Sequence, residues 1–211
     1  MPDKGDGLKL KIDVAFFPPE RTYSDGRPHW ADQVIAVEFK SHKTSLDPFD
    51  DRVDGKVDAD AISRKKVRGQ IIHYAEQIFR YQHRTALYML LIIGRRFRFL
   101  RWDRSGTIVT RAADYFEQPD LLCKMLWRMS QLNEEQLGYD PSAIRIDRTD
   151  PDYLRMNTIA LPVETDADHM ERKLDDDMLD DAPVYRYVRD MFRRSLHPEW
   201  PRYRLEVKDT D

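Results

Sequence analysis

The sequence predicts an α/β domain with a mixed β-sheet flanked by helices, and three observations carry that prediction. The run Val34-Ile35-Ala36-Val37-Glu38-Phe39-Lys40 is a short hydrophobic strand that ends in Glu-x-Lys. Residues 67–83 repeat apolar side chains at helical spacing, through Ile71, Ile72, Ala75, Ile78 and Phe79. Ala86-Leu87-Tyr88-Met89-Leu90-Leu91-Ile92-Ile93 is continuously apolar, as a central strand buried on both faces requires.

The remaining elements follow in chain order. From Leu8 to Phe17, Leu8, Leu10 and Ile12 alternate with polar partners, the period of two of a strand, and Pro18-Pro19 stops it. Asp25-Gly26-Arg27-Pro28 is a turn before the Glu-x-Lys strand. Residues 41–63 are acidic, poor in apolar side chains and broken by Pro48 and Gly55; they predict a mobile loop with solvated carboxylates. Arg96–Trp102 alternates and pairs through Asp103-Arg104-Ser105-Gly106 with Thr107–Thr110 as a hairpin. Residues 118–132 predict a helix with Leu121, Leu122, Met125, Leu126 and Met129 inward. The character changes at Gly138. Residues 164–181 hold nine acidic and two basic side chains, a solvated stretch. Residues 182–196 predict a second amphipathic helix through Val184, Tyr187, Val188, Met191 and Phe192, with Arg186, Arg189, Arg193 and Arg194 outside. Leu205 and Val207 suit a short strand, and no internal repeat is visible.

Composition narrows the setting. At 211 residues the chain can build one good core, or a core with an appendage. A lone cysteine, Cys123, excludes an internal disulfide, fits a reducing compartment and reads as a small buried apolar residue. No apolar run approaches the ~20 residues that span a bilayer, and the start, Met-Pro-Asp-Lys-Gly-Asp-Gly, does not read as a signal peptide. The expected location is intracellular, nuclear or cytoplasmic, without a membrane. The net charge of −3 hides an asymmetry: residues 64–104 carry 11 Lys/Arg against 2 Asp/Glu, a net +9. Such a window attracts a phosphate backbone, or it covers a solvated face. Its candidate nucleic-acid contacts are Arg64, Lys65, Lys66, Arg68, Arg96, Arg98 and Arg101.

The candidate chemistry begins with geometry. On a strand, Glu38 and Lys40 project together and Phe39 turns to the opposite face. A carboxylate beside an ammonium can hold a divalent cation and orient or activate a water next to it. Asp13 supplies a second carboxylate if its strand neighbours that of Glu38. Few carboxylates, several waters and a substrate phosphate make a site that suits Mg²⁺, or Mn²⁺ in its place. On the following helix Gln70, Tyr74, Gln77 and Tyr81 share a face that can look at this end of the sheet. The six histidines offer no zinc spacing, and no nucleophile elbow or phosphate-binding Walker loop occurs.

Asp13, then Glu38-Phe39-Lys40, then Gln70-Ile71-Ile72-His73-Tyr74 resembles the PD-(D/E)XK nuclease superfamily, in its RecB-like Gln-x-x-x-Tyr variant. The resemblance implies a restriction-endonuclease-like mixed sheet over residues 1–135, followed by a helical and acidic extension over 136–211. It implies Asp13, Glu38 and the Phe39 carbonyl as metal ligands, with Lys40, Gln70 and Tyr74 as catalytic residues. A second resemblance covers more of the chain. Arg68-Gly69-Gln70, Gln82-His83-Arg84, Arg101-Trp102-Asp103-Arg104-Ser105-Gly106 and Gly138-Tyr139-Asp140-Pro141 look like the segment that precedes the kinase domain in fungal-type protein kinases. It implies that a kinase lobe begins near Trp200-Pro201-Arg202-Tyr203, and that a kinase domain or another protein is a partner. The G-x-G-x-x-G loop, His-Arg-Asp and Asp-Phe-Gly of a kinase do not occur in these residues. Two functions are therefore open: a metal-dependent nuclease, or a non-catalytic accessory domain that binds nucleic acid or protein beside a kinase.

Overall fold

The apolar run Ala86–Ile93 becomes strand β3, and a mixed sheet is organised around it. A computed structural model describes residues 11–43, 46–51, 58–59, 61–168, 184–197 and 200–207. Strand β1 (Val14–Phe16) runs antiparallel to β2 (Ile35–Lys40), with Val14 opposite Val37 and Phe16 opposite Ile35. Helix α1 (Ile62–Tyr81) then crosses over, which lets β3 lie parallel to β2, with Glu38 opposite Leu91. Strand β4 (Arg96–Asp103) returns antiparallel to β3, and it pairs with both β5 (Thr107–Val109) and β6 (Ala113–Asp114). The sheet order is β1-β2-β3-β4-β5. The predicted start of the first strand at Leu8 and Leu10 lies outside the described residues.

Both faces of this sheet are covered, and that is why β3 has no polar residue. On one face helix α2 (Pro119–Ser130) sets Leu122, Met125 and Leu126 against Val37, Leu90, Phe97 and Phe99. On the other, α1 buries Val67, Ile71, Tyr74, Ala75, Ile78 and Tyr81. Burying a side chain such as Ile71, Ile78, Leu87 or Leu91 contributes roughly 1.5–3 kcal/mol. The α1 stripe differs from the predicted one. Ile72 and Phe79 are only half-buried, while Tyr74 is enclosed completely. On α2, Leu121 and Cys123 face solvent, against expectation for both. The inward positions 122, 125, 126 and 129 fill the α2 stripe, and Cys123 falls on its outer side.

The described part of the 41–63 segment is anchored, which corrects the expectation of a solvated loop. Asp47, Pro48, Phe49 and Ala59 are buried, and Phe49 bridges to Asp58. Arg64 donates to the carbonyls of Asp47 and Phe49 and to the Asp50 carboxylate at 2.7 Å. Residues 44–45, 52–57 and 60 lie outside the description.

A polar clamp closes the unit Asp3–Ser142. Gln82 donates to the carbonyls of Trp30 and Gln33, and Arg84 donates to Gln82 Oε1 at 2.7 Å and to the Leu137 carbonyl at 3.0 Å. The Arg84 guanidinium also lies 3.7 Å from the centre of the Tyr139 ring. The Gly138 carbonyl receives the N–H groups of Thr85 and Ala86. Gly138 has φ +89°, and a Cβ there would sit 2.1 Å from the Ala86 carbonyl oxygen. Gly138→Ala therefore combines left-handed strain with a backbone collision. It should cost about 2 kcal/mol or more in urea unfolding; an unchanged midpoint would show that the turn relaxes freely.

The second unit, Ala143–Asp211, pairs β7 (Ala143–Ile146) antiparallel with β8 (Arg202–Leu205). It adds helices α3 (Pro151–Ile159) and α4 (Arg186–Ser195). The α3 start follows the local rule: Asp150 caps by accepting the Asp152 N–H at 2.8 Å, and Pro151 opens the first turn. Residues 169–181 of the acidic stretch, and the predicted helix start at 182–183, lie outside the described residues. No described helix is long and apolar enough to cross a membrane.

Candidate active site

The end of β2 gathers most of the predicted site residues. Continuing the β1–β2 register by one step sets Asp13 opposite Glu38, on the sheet face that α1 covers. The Asp13 carboxylate accepts the Phe39 N–H at 2.9 Å, which ties the start of β1 to the end of β2. Asp13 is exposed, whereas Glu38 is 1% exposed. Two residues on, Lys40 projects to the same side and donates to Glu38 Oε1. Phe39 turns to the opposite face and is half-exposed.

Helix α1 completes the arrangement. Lys40 also donates to Gln70 Oε1 at 2.9 Å. The Gln70 amide donates to the Tyr74 hydroxyl, and that hydroxyl donates to the Lys11 carbonyl at 2.9 Å. One hydrogen-bonded path thus runs from Glu38 through Lys40, Gln70 and Tyr74 to the chain just before Asp13. The i, i+4 spacing of Gln70 and Tyr74 lets both reach it from one helix face. The Lys11 carbonyl is a member that sequence reasoning missed, because a backbone acceptor leaves no mark in residue identity.

Electrostatics follow from this enclosure. Burial pushes the Glu38 carboxyl above its usual value, partly offset by the Lys40 ammonium, and the nearby Asp13 charge pushes the same way as burial. Burial likewise pushes the Tyr74 hydroxyl up to about 12, so it remains a proton donor near neutral pH. Lys40 occupies one Glu38 oxygen, and the Tyr74 hydroxyl lies near enough to favour the charged carboxylate; but that hydroxyl is bonded to Gln70 and the Lys11 carbonyl, and the buried Glu38 Oε2 meets no donor within hydrogen-bond distance. An uncompensated carboxylate oxygen in such a place costs free energy unless a cation or donor meets it. Two carboxylates, a main-chain carbonyl and water make a donor set that Mg²⁺ or Mn²⁺ accepts. Among the described residues no group of three or more His, Cys, Asp or Glu side chains is placed to hold a metal ion.

The predicted phosphate contacts do not form one free surface. Arg98 is a core residue, 2% exposed, held by Asp47 at 2.9 Å and by Asp51 at 2.7 Å, with the Thr110 carbonyl also accepting at 2.9 Å. Its guanidinium donors are spent internally, so it is withdrawn as a nucleic-acid contact. Arg64 braces the Asp47–Asp50 segment, and Arg68 meets Asp58 at 3.3 Å. Arg101 meets Asp103 at 3.0 Å and Arg96 lies 3.7 Å from Asp51. Lys65 and Lys66 are exposed on the first turns of α1. Acidic residues of the preceding loop thus neutralise much of the basic window. The sequence shows both charge runs but not that they face each other.

The comparisons with known proteins agree with the longer of the two resemblances. The family model for fungal protein kinase matches residues 12–181. The chain belongs to the fungal protein kinase family. That match encloses Asp13, Glu38, Lys40, Gln70 and Tyr74, and both halves of the Gln82/Arg84–Gly138/Tyr139 clamp; Lys11 falls one residue before it. Two of the motif runs that resemble fungal-type kinases are therefore joined in space by this clamp. No curated protein and no solved structure matches the chain.

Proposed function

We propose that Asp13, Glu38, Phe39, Lys40, Gln70 and Tyr74 form a metal-dependent phosphodiesterase site, in an accessory domain of the fungal protein kinase family. The observation that carries this reading is the buried, partnerless Glu38 Oε2 beside Asp13, at the head of the path through Lys40, Gln70 and Tyr74. A β1–β2 antiparallel pair followed by a helical crossover to a parallel β3 supports a restriction-endonuclease-like core. In this reading Glu38, Asp13 and the Phe39 carbonyl would hold Mg²⁺ or Mn²⁺, whose charge would lower the pKa of a bound water and balance a substrate phosphate. Lys40, as an ammonium, would orient the attacking water, whose proton the metal-lowered pKa would let pass to solvent. Gln70 holds the Lys40 ammonium as a second acceptor besides Glu38, and Tyr74 accepts from the Gln70 amide.

The test is cleavage of plasmid DNA, single-stranded DNA and RNA in Mn²⁺ or Mg²⁺, beside calorimetric titration of Mn²⁺. The native chain should bind the ion and cut at least one of these. Lys40→Ala should lose at least about 100-fold in cutting, the scale of a misplaced reacting group, while still binding Mn²⁺. Cutting at the native rate by this variant would remove Lys40 from the reaction.

A second reading has its own observation. Internal pairing of Arg64, Arg68, Arg96, Arg98 and Arg101 leaves few cations for a polynucleotide track. A nuclease-derived fold that serves as a protein-binding module fits that pattern. Absence of both ion binding and cutting would favour it.

The proposed site uses no kinase machinery, so Mg·ATP should shift the melting temperature no further than the same concentration of Mg²⁺ alone. A nucleotide at a hundredfold excess over its Kd would raise stability by roughly 2.7 kcal/mol. A saturable shift of that size, with phosphate transfer to a protein, would reveal a kinase site in these residues.

A further inference from the structure

A cavity of about 360 Å³ opens beside the last turn of α2, within the unit Asp3–Ser142. Phe16, Phe17, Ile35, Leu126, Met129 and Leu137 give it apolar walls. Ile35 and Glu38 point to opposite faces of β2, so this cavity is separate from the candidate active site. Voids much larger than a water molecule are few in a close-packed domain. An apolar cavity of about 150 Å³ already admits benzene, and ligand sites begin near roughly 300 Å³. The space therefore suits a two-ring molecule.

The walls are held in place. Pro18 and Pro19 stiffen the exit of β1, where the Pro18 carbonyl accepts the Arg21 N–H at 2.9 Å. Asn133 and Gln136 cap one another: the Asn133 N–H donates to Gln136 Oε1 at 3.1 Å, and the Gln136 N–H donates to Asn133 Oδ1 at 2.8 Å. That turn brings Glu134 and Leu137 to the cavity, and the Gly138 carbonyl ties it to Thr85. Among the described residues that line the cavity, Glu134 alone is charged; it is exposed and pairs with no described cation. Arg84 stays outside the lining. It lies against the Tyr139 ring and gives its N–H groups to Gln82, Gln33 and Leu137. Burial pushes the Tyr139 hydroxyl above its ordinary value, with Arg84 opposing and the Glu134 and Asp32 charges reinforcing, so it stays protonated.

We propose that this cavity binds a small amphiphile, a two-ring aromatic body with an ammonium head that meets Glu134. Phe16, Phe17 and Met129 offer the ring edges, faces and sulfur that an aromatic body packs against. An anionic head fits less well, because the lining presents a carboxylate and no cation to meet it. A peptide strand added to the free edge of β1 also fits less well. That strand is three residues long, so it offers few main-chain hydrogen bonds to a partner.

Tryptamine and indole-3-propionate are the probes, since they carry the same ring and tether with heads of opposite charge. The full chain, without added metal, should bind tryptamine saturably in calorimetry, and roughly tenfold more tightly than indole-3-propionate. Glu134→Gln should weaken tryptamine by roughly fivefold and leave indole-3-propionate no weaker. Ser130→Trp and Leu132→Trp each fill the cavity from its lining and should remove binding of both probes. Ser130 is exposed and Leu132 half-buried, so circular dichroism of these variants should match the native chain. Lack of saturable tryptamine binding, equal affinity for the two probes, or binding that both filled variants keep would each overturn the inference. So would self-association in sedimentation that the filled variants lose, which would assign the cavity to a second copy of the chain.

Discussion

Glu38→Gln should abolish Mn²⁺ binding and any ion-dependent cutting, while the melting temperature at pH 7 stays at or above that of the native chain. The first half follows from the proposed ligand role. Removing a partner that merely orients a ligand typically costs 10–100-fold in metal affinity or activity, so loss of a ligand carboxylate should exceed roughly 100-fold. The second half follows from the direction of the Glu38 shift. Burial holds this carboxyl above its ordinary value, against the opposing pull of Lys40. A carboxyl raised by folding favours the folded state below the ordinary carboxylate range. That contribution is lost as pH rises through the folded value, because the unfolded chain gives up its proton first. A glutamine carries no charge, keeps an oxygen for Lys40 and escapes this loss. Stability of the variant should therefore fall less than that of the native chain between pH 4 and pH 7. Asp13→Asn should lose ion binding as well, but Asp13 is exposed and its replacement should change stability little. The decisive measurement is the pair of Mn²⁺ titrations. If both variants bind and cut like the native protein, the site is elsewhere.

What the sequence made legible, and what it did not, divides along sequence separation. β2 and β3 were readable because a strand buried on both faces excludes polar residues, and Ala86–Ile93 has none. The Glu38/Lys40 pair was readable because two residues on one strand share a face. Gln70 and Tyr74 were readable as partners because one helical turn separates them. Asp13 reached the site by a strand pairing that the sequence offered without fixing its register. The rotation of α1 differs by part of a turn from the one its apolar spacing predicts. Gln70 must reach Lys40 and Tyr74 must reach Lys11, so the stripe that faces the sheet includes Tyr74 and leaves Ile72 and Phe79 half-buried. Pairing between Asp47, Asp51 and Arg98 was illegible, since about fifty residues and a crossover lie between the partners and charge pattern alone carries no contact. Helix α3 had a readable signal in Asp150-Pro151-Asp152. It is short and buries no residue, so no apolar stripe marks it.

Arg98→Ala should be the most damaging single change in the unit Asp3–Ser142. The guanidinium lies in the core and reaches two carboxylates and a carbonyl. Forming such a buried pair yields little net free energy, because both charges leave water to make it. Breaking it by removing one partner is different, since Asp47 then stays buried with its charge uncompensated. Cases of this kind cost about 3–5 kcal/mol, a large part of the roughly 5–15 kcal/mol that keeps a domain folded. The expected fall in Tm is on the order of 10 °C. The segment around Pro48 and Phe49 should loosen too, because Asp47 would no longer be held, and protease cleavage near it should rise. Arg98→Met tests the cause. It keeps most of the buried volume but not the charge, so it should be nearly as damaging as alanine. Adding Asp47→Asn to Arg98→Met removes the orphaned charge and should recover stability. Asp47→Asn with Arg98 retained should cost less than Arg98→Met, since Asp51 still meets the guanidinium at 2.7 Å. A double-mutant cycle over positions 47 and 98 measures this coupling. Additive losses would mean that the Asp47–Arg98 pair is incidental to the fold and that Arg98 acts through Asp51 and the Thr110 carbonyl instead.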